Sequence, residues 1–148
     1  MEHSTEFPDC FHRVTIKGLC VREGKVLLAR EAESLSGKWE LPGGGLDFGE
    51  NIREAFTREV QEEMGLKVTK MSERPVYVWT HRYEKKRNLQ WYYSCVLAYQ
   101  VDFEDLNITQ SRECERIEFF SKDEMQSLEL GGQITNFASI FNPEDFTD

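Results

Sequence analysis

Residues 43–66 read GGGLDFGENIREAFTREVQEEMGL, and this stretch decides the fold. Its three opening glycines suit a tight loop, because they tolerate positive φ and let other groups approach the backbone. Ile52, Ala55, Phe56, Val60 and Met64 then recur at spacings of three and four, which predicts an amphipathic helix. Gly65 stands where a left-handed C-terminal cap belongs.

On a helical wheel with Glu59 at zero, Ile52 falls at about 20°, Ala55 at about −40° and Phe56 at about 60°. Glu63 falls at about 40° and Glu62 at about −60°, so all three carboxylates continue the apolar stripe. Arg53, Glu54, Thr57 and Gln61 take the solvent side, with Arg58 at its margin. Carboxylates turned together toward the body of a protein repel one another. At about 6 Å and an effective dielectric of about 20, each pair costs about 3 kcal/mol. Protonation would require large pKa shifts, whereas a hard divalent cation with oxygen ligands removes the repulsion directly. Glu59, Glu62 and Glu63 therefore read as a Mg²⁺ site that Mn²⁺ could also fill.

Gly44, Glu50, Arg58, Glu59, Val60, Glu62, Glu63, Gly65 and Leu66 resemble the Nudix box, G-x5-E-x7-R-E-U-x-E-E-x-G-U with U aliphatic, and every fixed position is filled. The flanking WELPGG at residues 39–44 and the chain length are similar to the family as well. The resemblance implies an α/β fold, a Nudix-type α/β/α sandwich with a curved mixed β-sheet between helices. It implies a Mg²⁺-dependent hydrolase that cleaves the phosphoanhydride of a nucleoside diphosphate linked to another moiety. It also implies that the Gly44 carbonyl adds a metal ligand, and that Glu50 pairs with Arg58 so that Arg58 orients Glu59. In the family a glutamate downstream of the box, just before an aromatic-Ser-x-x-Glu stretch, often supplies a further ligand or the general base. Phe119–Glu124 looks like that stretch, which makes Glu118 the nearest match, with Glu113 and Glu115 as alternatives. The base is Glu59, Glu63 or Glu118.

A chain of 148 residues, 39% hydrophobic and 30% charged, fits one soluble globular domain with a sizeable core. No apolar run approaches the roughly 20 residues that span a bilayer. The start MEHSTEFPDC has neither a basic region nor an apolar core of a secretory signal, which predicts a cytoplasmic protein. A net charge of −9 argues against non-specific nucleic-acid binding, which relies on clustered Lys and Arg. Cys10, Cys20, Cys95 and Cys114 are scattered, without a C-x-x-C pair or a His at zinc spacing, and read as reduced thiols. The expected partner is a small nucleotide, with no nucleic acid and no membrane; a monomer and a homodimer fit equally.

Along the chain, residues 1–10 read as a loose leader and 11–21 as a strand buried on one face through Val14, Ile16 and Cys20. Arg22–Lys25 is turn chemistry, and Val26–Arg30 the returning strand. Trp39 is either a core plug or a wall of the substrate cleft; Arg30 is either a surface charge or a phosphate ligand. Residues 74–101 read as a long aromatic-rich hairpin with a basic tip at Lys85–Arg87. Its rings either pack in the sheet or flank a nucleobase, with Arg82 or the tip meeting phosphates. Tyr83, 17 residues beyond the box, is similar to a tyrosine in Nudix diadenosine polyphosphate hydrolases. RIEFF at 116–120 is a strand, and Ser121–Glu124 a capping box opening a helix to about Leu130. Ile134, Phe137, Ala138 and Phe141 have helical spacing, and 142–148 should fray.

The compact size resembles MutT-like (d)NTP pyrophosphohydrolases, which release a nucleoside monophosphate and pyrophosphate. There is no SQQEPWPFP-type stretch of NADH pyrophosphatases and no LLTxRSA-type stretch of coenzyme A pyrophosphatases. The proline of ADP-ribose pyrophosphatases is replaced by His81. Dinucleoside polyphosphates and NDP-sugars stay open as substrates. A Nudix-fold nucleotide sensor is the non-enzymatic alternative, although such domains typically lose box glutamates and this chain keeps them all.

Overall fold

The computed structural model describes residues 10–84 and 91–147. The mixed sheet at its centre is built on β1 (Cys10–Leu19) and β8 (Trp91–Phe103), which run parallel with Val14 opposite Cys95 and Lys17 opposite Ala98. On the other edge of β1 lies β5 (Gly43–Gly45), antiparallel, with Gly43 opposite Lys17 and Gly44 opposite Ile16. The far side of β8 carries β7 (Tyr77–Glu84) and β6 (Val68–Met71), both antiparallel. A second sheet is centred on β3 (Lys25–Arg30), flanked by β9 (Arg116–Phe120) on one side and by β2 (Val21–Arg22) and β4 (Trp39–Glu40) on the other. Glu23 and Gly24 take φ of 52° and 77° in the β2–β3 turn.

The expectation of a β1 buried on one face alone was too modest: Thr15 through Cys20 are all buried. A central strand between two layers has no solvent face. Ile16 and Cys20 pack with Phe56, Val60 and Met64 of α1 (Ile52–Met64), while Leu19 joins Trp79, Phe137 and Phe141 on the opposite side. The two clusters define the layers of an α/β/α arrangement. Gly18 lies directly beneath the Phe56 ring, so a side chain there would push α1 off the sheet.

Two C-terminal expectations change. The capping box at Ser121 forms, with Glu124 N donating to Ser121 Oγ at 3.1 Å, but α2 spans only Lys122–Met125. The chain beyond is drawn to β4 instead: Trp39 N donates to Glu129 O at 3.0 Å, and Gly131 N to Trp39 O at 2.9 Å. After a single 3₁₀ turn (Gly132–Ile134), α3 (Thr135–Ile140) buries Phe137 and Ala138. Residues 142–147 do not hang loose. Tyr77 Oη donates to Asp145 Oδ2 at 2.5 Å, Asn142 N donates to Tyr77 Oη at 3.0 Å, and Phe146 packs on Phe141. No helix among the described residues is long and apolar enough to cross a membrane.

Candidate active site

The register of α1 is pinned at both ends. Asn51 accepts from Glu54 N at 2.9 Å and Glu54 answers from Asn51 N at 3.4 Å, closing a capping box. Gly65, at φ 67°, ends the helix and donates to Gln61 O at 3.1 Å. Between these caps Arg58 is held by the loop that precedes the helix. Its Nε and Nη2 donate to Glu50 at 2.7 and 2.9 Å, Nη2 also meets Asp47 at 3.2 Å, and Nη1 donates to Glu59 at 2.9 Å. The guanidinium hydrogen bonds hold the Glu50 carboxyl below the usual carboxylate range, and the same contacts raise Arg58.

Glu59, with only 17% of its side chain exposed, lies against bare backbone. A Cβ placed on Gly44 would stand 2.6 Å from the Glu59 Cδ, so the glycine makes room for the carboxylate. Glu63, one turn on, hydrogen-bonds to Glu59. Burial, then that hydrogen bond, push the Glu63 carboxyl up to about 8, against the nearby charge of Lys17. Glu62 departs from the wheel reading. It is 60% exposed and leans back to Arg58 at 3.3 Å, because an i, i+4 pair on the helix surface competes with the inward direction.

Beside Glu63 opens a cleft of about 330 Å³ between the Gly43 loop, α1 and the Gly131–Gln133 turn. Lys17, Glu40, Glu113 and Gln133 reach into it. Lys17 is buried, and its Nζ donates to Leu41 O at 3.1 Å and Gly43 O at 3.2 Å. Glu40 has one carboxylate oxygen, Oε2, buried without a hydrogen-bond partner, and burial raises its pKa with Lys17 opposing. Gln133 Nε2 donates to Ser94 Oγ at 2.8 Å, itself bonded to Thr15 Oγ1 at 2.7 Å. Sequence reasoning missed Lys17, Glu40 and Gln133. A lysine inside the apolar run VTIKGL was the one available signal.

Several predicted site residues stand elsewhere. Glu118 is exposed in mid β9, opposite Leu28, because a strand places it on the sheet rather than over the helix. Glu113, in the loop before β9, is the downstream acid that lines the cleft and acts on Glu63. Glu115 is paired with Arg30 at 2.5 Å, and Arg30 also meets Glu33 at 2.5 Å, so this arginine is spoken for outside the cleft. Trp39 is a core residue, 6% exposed, edge-on to Phe120 at 4.8 Å and capped by Arg116. Arg82 is exposed on β7 and does not line the cleft. The Tyr83 side chain and the Lys85–Arg87 tip lie outside the described residues.

Among the described residues no three His, Cys, Asp or Glu side chains already converge as a cation cage. The donors nonetheless suit a hard divalent ion. Glu59 and Glu63 supply neighbouring carboxylate oxygens, beside a glycine backbone kept clear.

The model of the NUDIX domain matches residues 12–138, and the chain belongs to the Nudix family. Among curated relatives, a MutT-like protein of Streptomyces ambofaciens is 45% identical over 58 residues, covering 38% of this chain and 36% of that one. The nucleoside triphosphatase NudI of Escherichia coli O139:H28 is 39% identical over 56 residues, 36% of this chain and 40% of its own. The matched stretch thus spans less than half the length of these curated relatives. Among solved structures, a MutT NUDIX hydrolase from Burkholderia pseudomallei has 25% identity and a TM-score of 0.63, with 92% of this chain and 98% of that one covered. The MutT protein of Methanosarcina mazei Go1, at 20% identity and TM-score 0.67 over 95% and 100%, shares the fold.

Proposed function

We propose that the protein is a divalent-cation-dependent pyrophosphohydrolase of nucleotides, with a nucleoside triphosphate as substrate and a nucleoside monophosphate and pyrophosphate as products. The observation that supports this reading is the Glu59–Glu63 contact under the glycine loop, with Glu63 pushed up to about 8. Two acids held that close are tolerated where catalysis needs a cation between them. The name of the Escherichia relative, a nucleoside triphosphatase, agrees with a nucleotide substrate.

Glu59 and Glu63 would hold Mg²⁺, with Gly44 offering backbone and Glu62 joining on leaving Arg58. The ion supplies charge neutralisation on the phosphate oxygens and a water of lowered pKa. Arg58 keeps Glu59 in place, because Glu50 fixes the guanidinium from the opposite edge. Glu113, which lines the same cleft outside the Glu59–Glu63 pair, is the acid that would take a proton from water. The net reaction breaks one P–O–P link, adds water across it and releases two phosphate-bearing products.

A panel of canonical and oxidised nucleoside triphosphates, dinucleoside polyphosphates and NDP-sugars, incubated with Mg²⁺ and resolved by mass, tests this. Monophosphate and pyrophosphate from a triphosphate, abolished in Glu63→Gln, is the expected result. A folded, metal-loaded protein that turns over none of them would overturn it.

A further inference from the structure

We infer that Lys17 is a substrate-binding residue whose ammonium takes a phosphate oxygen of the bound nucleotide as its third hydrogen-bond acceptor. The inference rests on the nucleotide-hydrolase reading above and goes beyond the acidic box. Lys17 sits in the middle of a buried strand and is 6% exposed. An ammonium has three protons, and two of them go to the neutral carbonyls of Leu41 at 3.1 Å and Gly43 at 3.2 Å. No carboxylate closes an ion pair with it among the described residues. A buried charge whose direct acceptors are both neutral is costly, and the cost falls when an anion arrives.

The cleft leaves that position open. Lys17 lines it between Glu63 and Glu40, and both carboxyls feel its charge. The bond to Gly43 O also tethers Nζ one residue from Gly44, so it stands at the end of the cleft where the cation-binding acids gather. A diphosphate held by those acids would lie beside Nζ, and an anionic oxygen gains more from an ammonium than a neutral base carbonyl does. Lysine acts on phosphate as a point charge, which suits a site fixed by one tethered atom rather than a fork.

The competing account is a loop tether: Lys17 simply staples Leu41 and Gly43 to β1. Calorimetry with α,β-methylene analogues of ATP, GTP, CTP and UTP on the full chain, alongside steady-state kinetics and melting curves, separates the two. In Lys17→Met the Kd and KM should rise about 10- to 100-fold, equally for all four bases. Lys17→Arg should recover much of the affinity, and serves as the reporter if the methionine variant does not fold. Unchanged Kd with a fall in kcat or melting temperature would overturn the inference in favour of the tether. A loss confined to one base would overturn it in favour of a base carbonyl. Analogues that fail to bind the wild-type chain would overturn the hydrolase reading as well, whereas tight wild-type binding that the variants retain overturns the Lys17 assignment alone.

Discussion

Arg58 grips Glu50 through two hydrogen bonds, Nε to Oε2 at 2.7 Å and Nη2 to Oε1 at 2.9 Å, and presents its remaining nitrogen to Glu59 at 2.9 Å. The arginine is thus a bracket between the loop and the acid that lies against Gly44. A bidentate pair sets direction as well as distance. Arg58→Lys keeps the charge and loses the fork. It should lower kcat by about 10- to 100-fold while leaving KM for the nucleotide within a few-fold. Steady-state kinetics on the variant checks this; a change in KM alone would mean that Arg58 touches substrate instead.

The Glu63 carboxyl makes stability depend on pH in a defined direction. Its ordinary value is 4.5 and its folded value is about 8, so the folded chain holds a proton that the unfolded chain releases. That stabilising contribution is complete below the unfolded value and is lost as pH rises through about 8. The melting temperature of metal-free wild type should therefore fall more steeply between pH 5 and pH 8 than that of Glu63→Gln. Adding Mg²⁺ near pH 7 should release protons from wild type, measured by calorimetry in buffers of different ionisation enthalpy.

Gly44→Ala tests the close approach of loop and helix. The added methyl would meet Glu59 Cδ at 2.6 Å, too near for any packing, so the carboxylate must move. A displacement of about 1 Å at a reacting group costs about 100-fold in rate. Activity should fall by that order while melting temperature changes little, since the atoms displaced are the far end of one flexible side chain.

Phe137→Ala probes the layer opposite α1. Phe137 is fully buried and stacks on Trp79 at 5.9 Å. Truncation should cost about 3–5 kcal/mol in denaturant unfolding. The activity of the fraction that stays folded should be near wild type, because no residue of the Glu59–Glu63 pair belongs to that cluster.

Residues 43–66 made the helix and its C-terminal cap legible, because both depend on contacts within a short span of sequence, and the resemblance to the Nudix box implied the Arg58–Glu50–Glu59 chain. The direction of Glu62 departs from the wheel for a local reason. A wheel assigns direction from Cα positions alone, and the half-buried Arg58 one turn away pairs with the side chain. The downstream acid could not be resolved between Glu113, Glu115 and Glu118, since a loop of uncertain length decides which one overhangs the helix. Lys17 left one signal, a charge in an apolar run, and Glu40 left none. They meet because β1 pairs with β5 and β4 pairs with β3, and such register between strands leaves no periodic trace. The same distance effect shortened α2, whose tail is claimed by Trp39.

The account stands on Glu59 and Glu63 acting together as a seat for a divalent cation. Titration with Mn²⁺, followed by the electron paramagnetic resonance signal of the free ion, tests that directly in wild type and in the Glu59→Gln, Glu63→Gln double variant. The account predicts saturable depletion of free Mn²⁺ by wild type and little depletion by the folded double variant. Equal depletion by both proteins would contradict it.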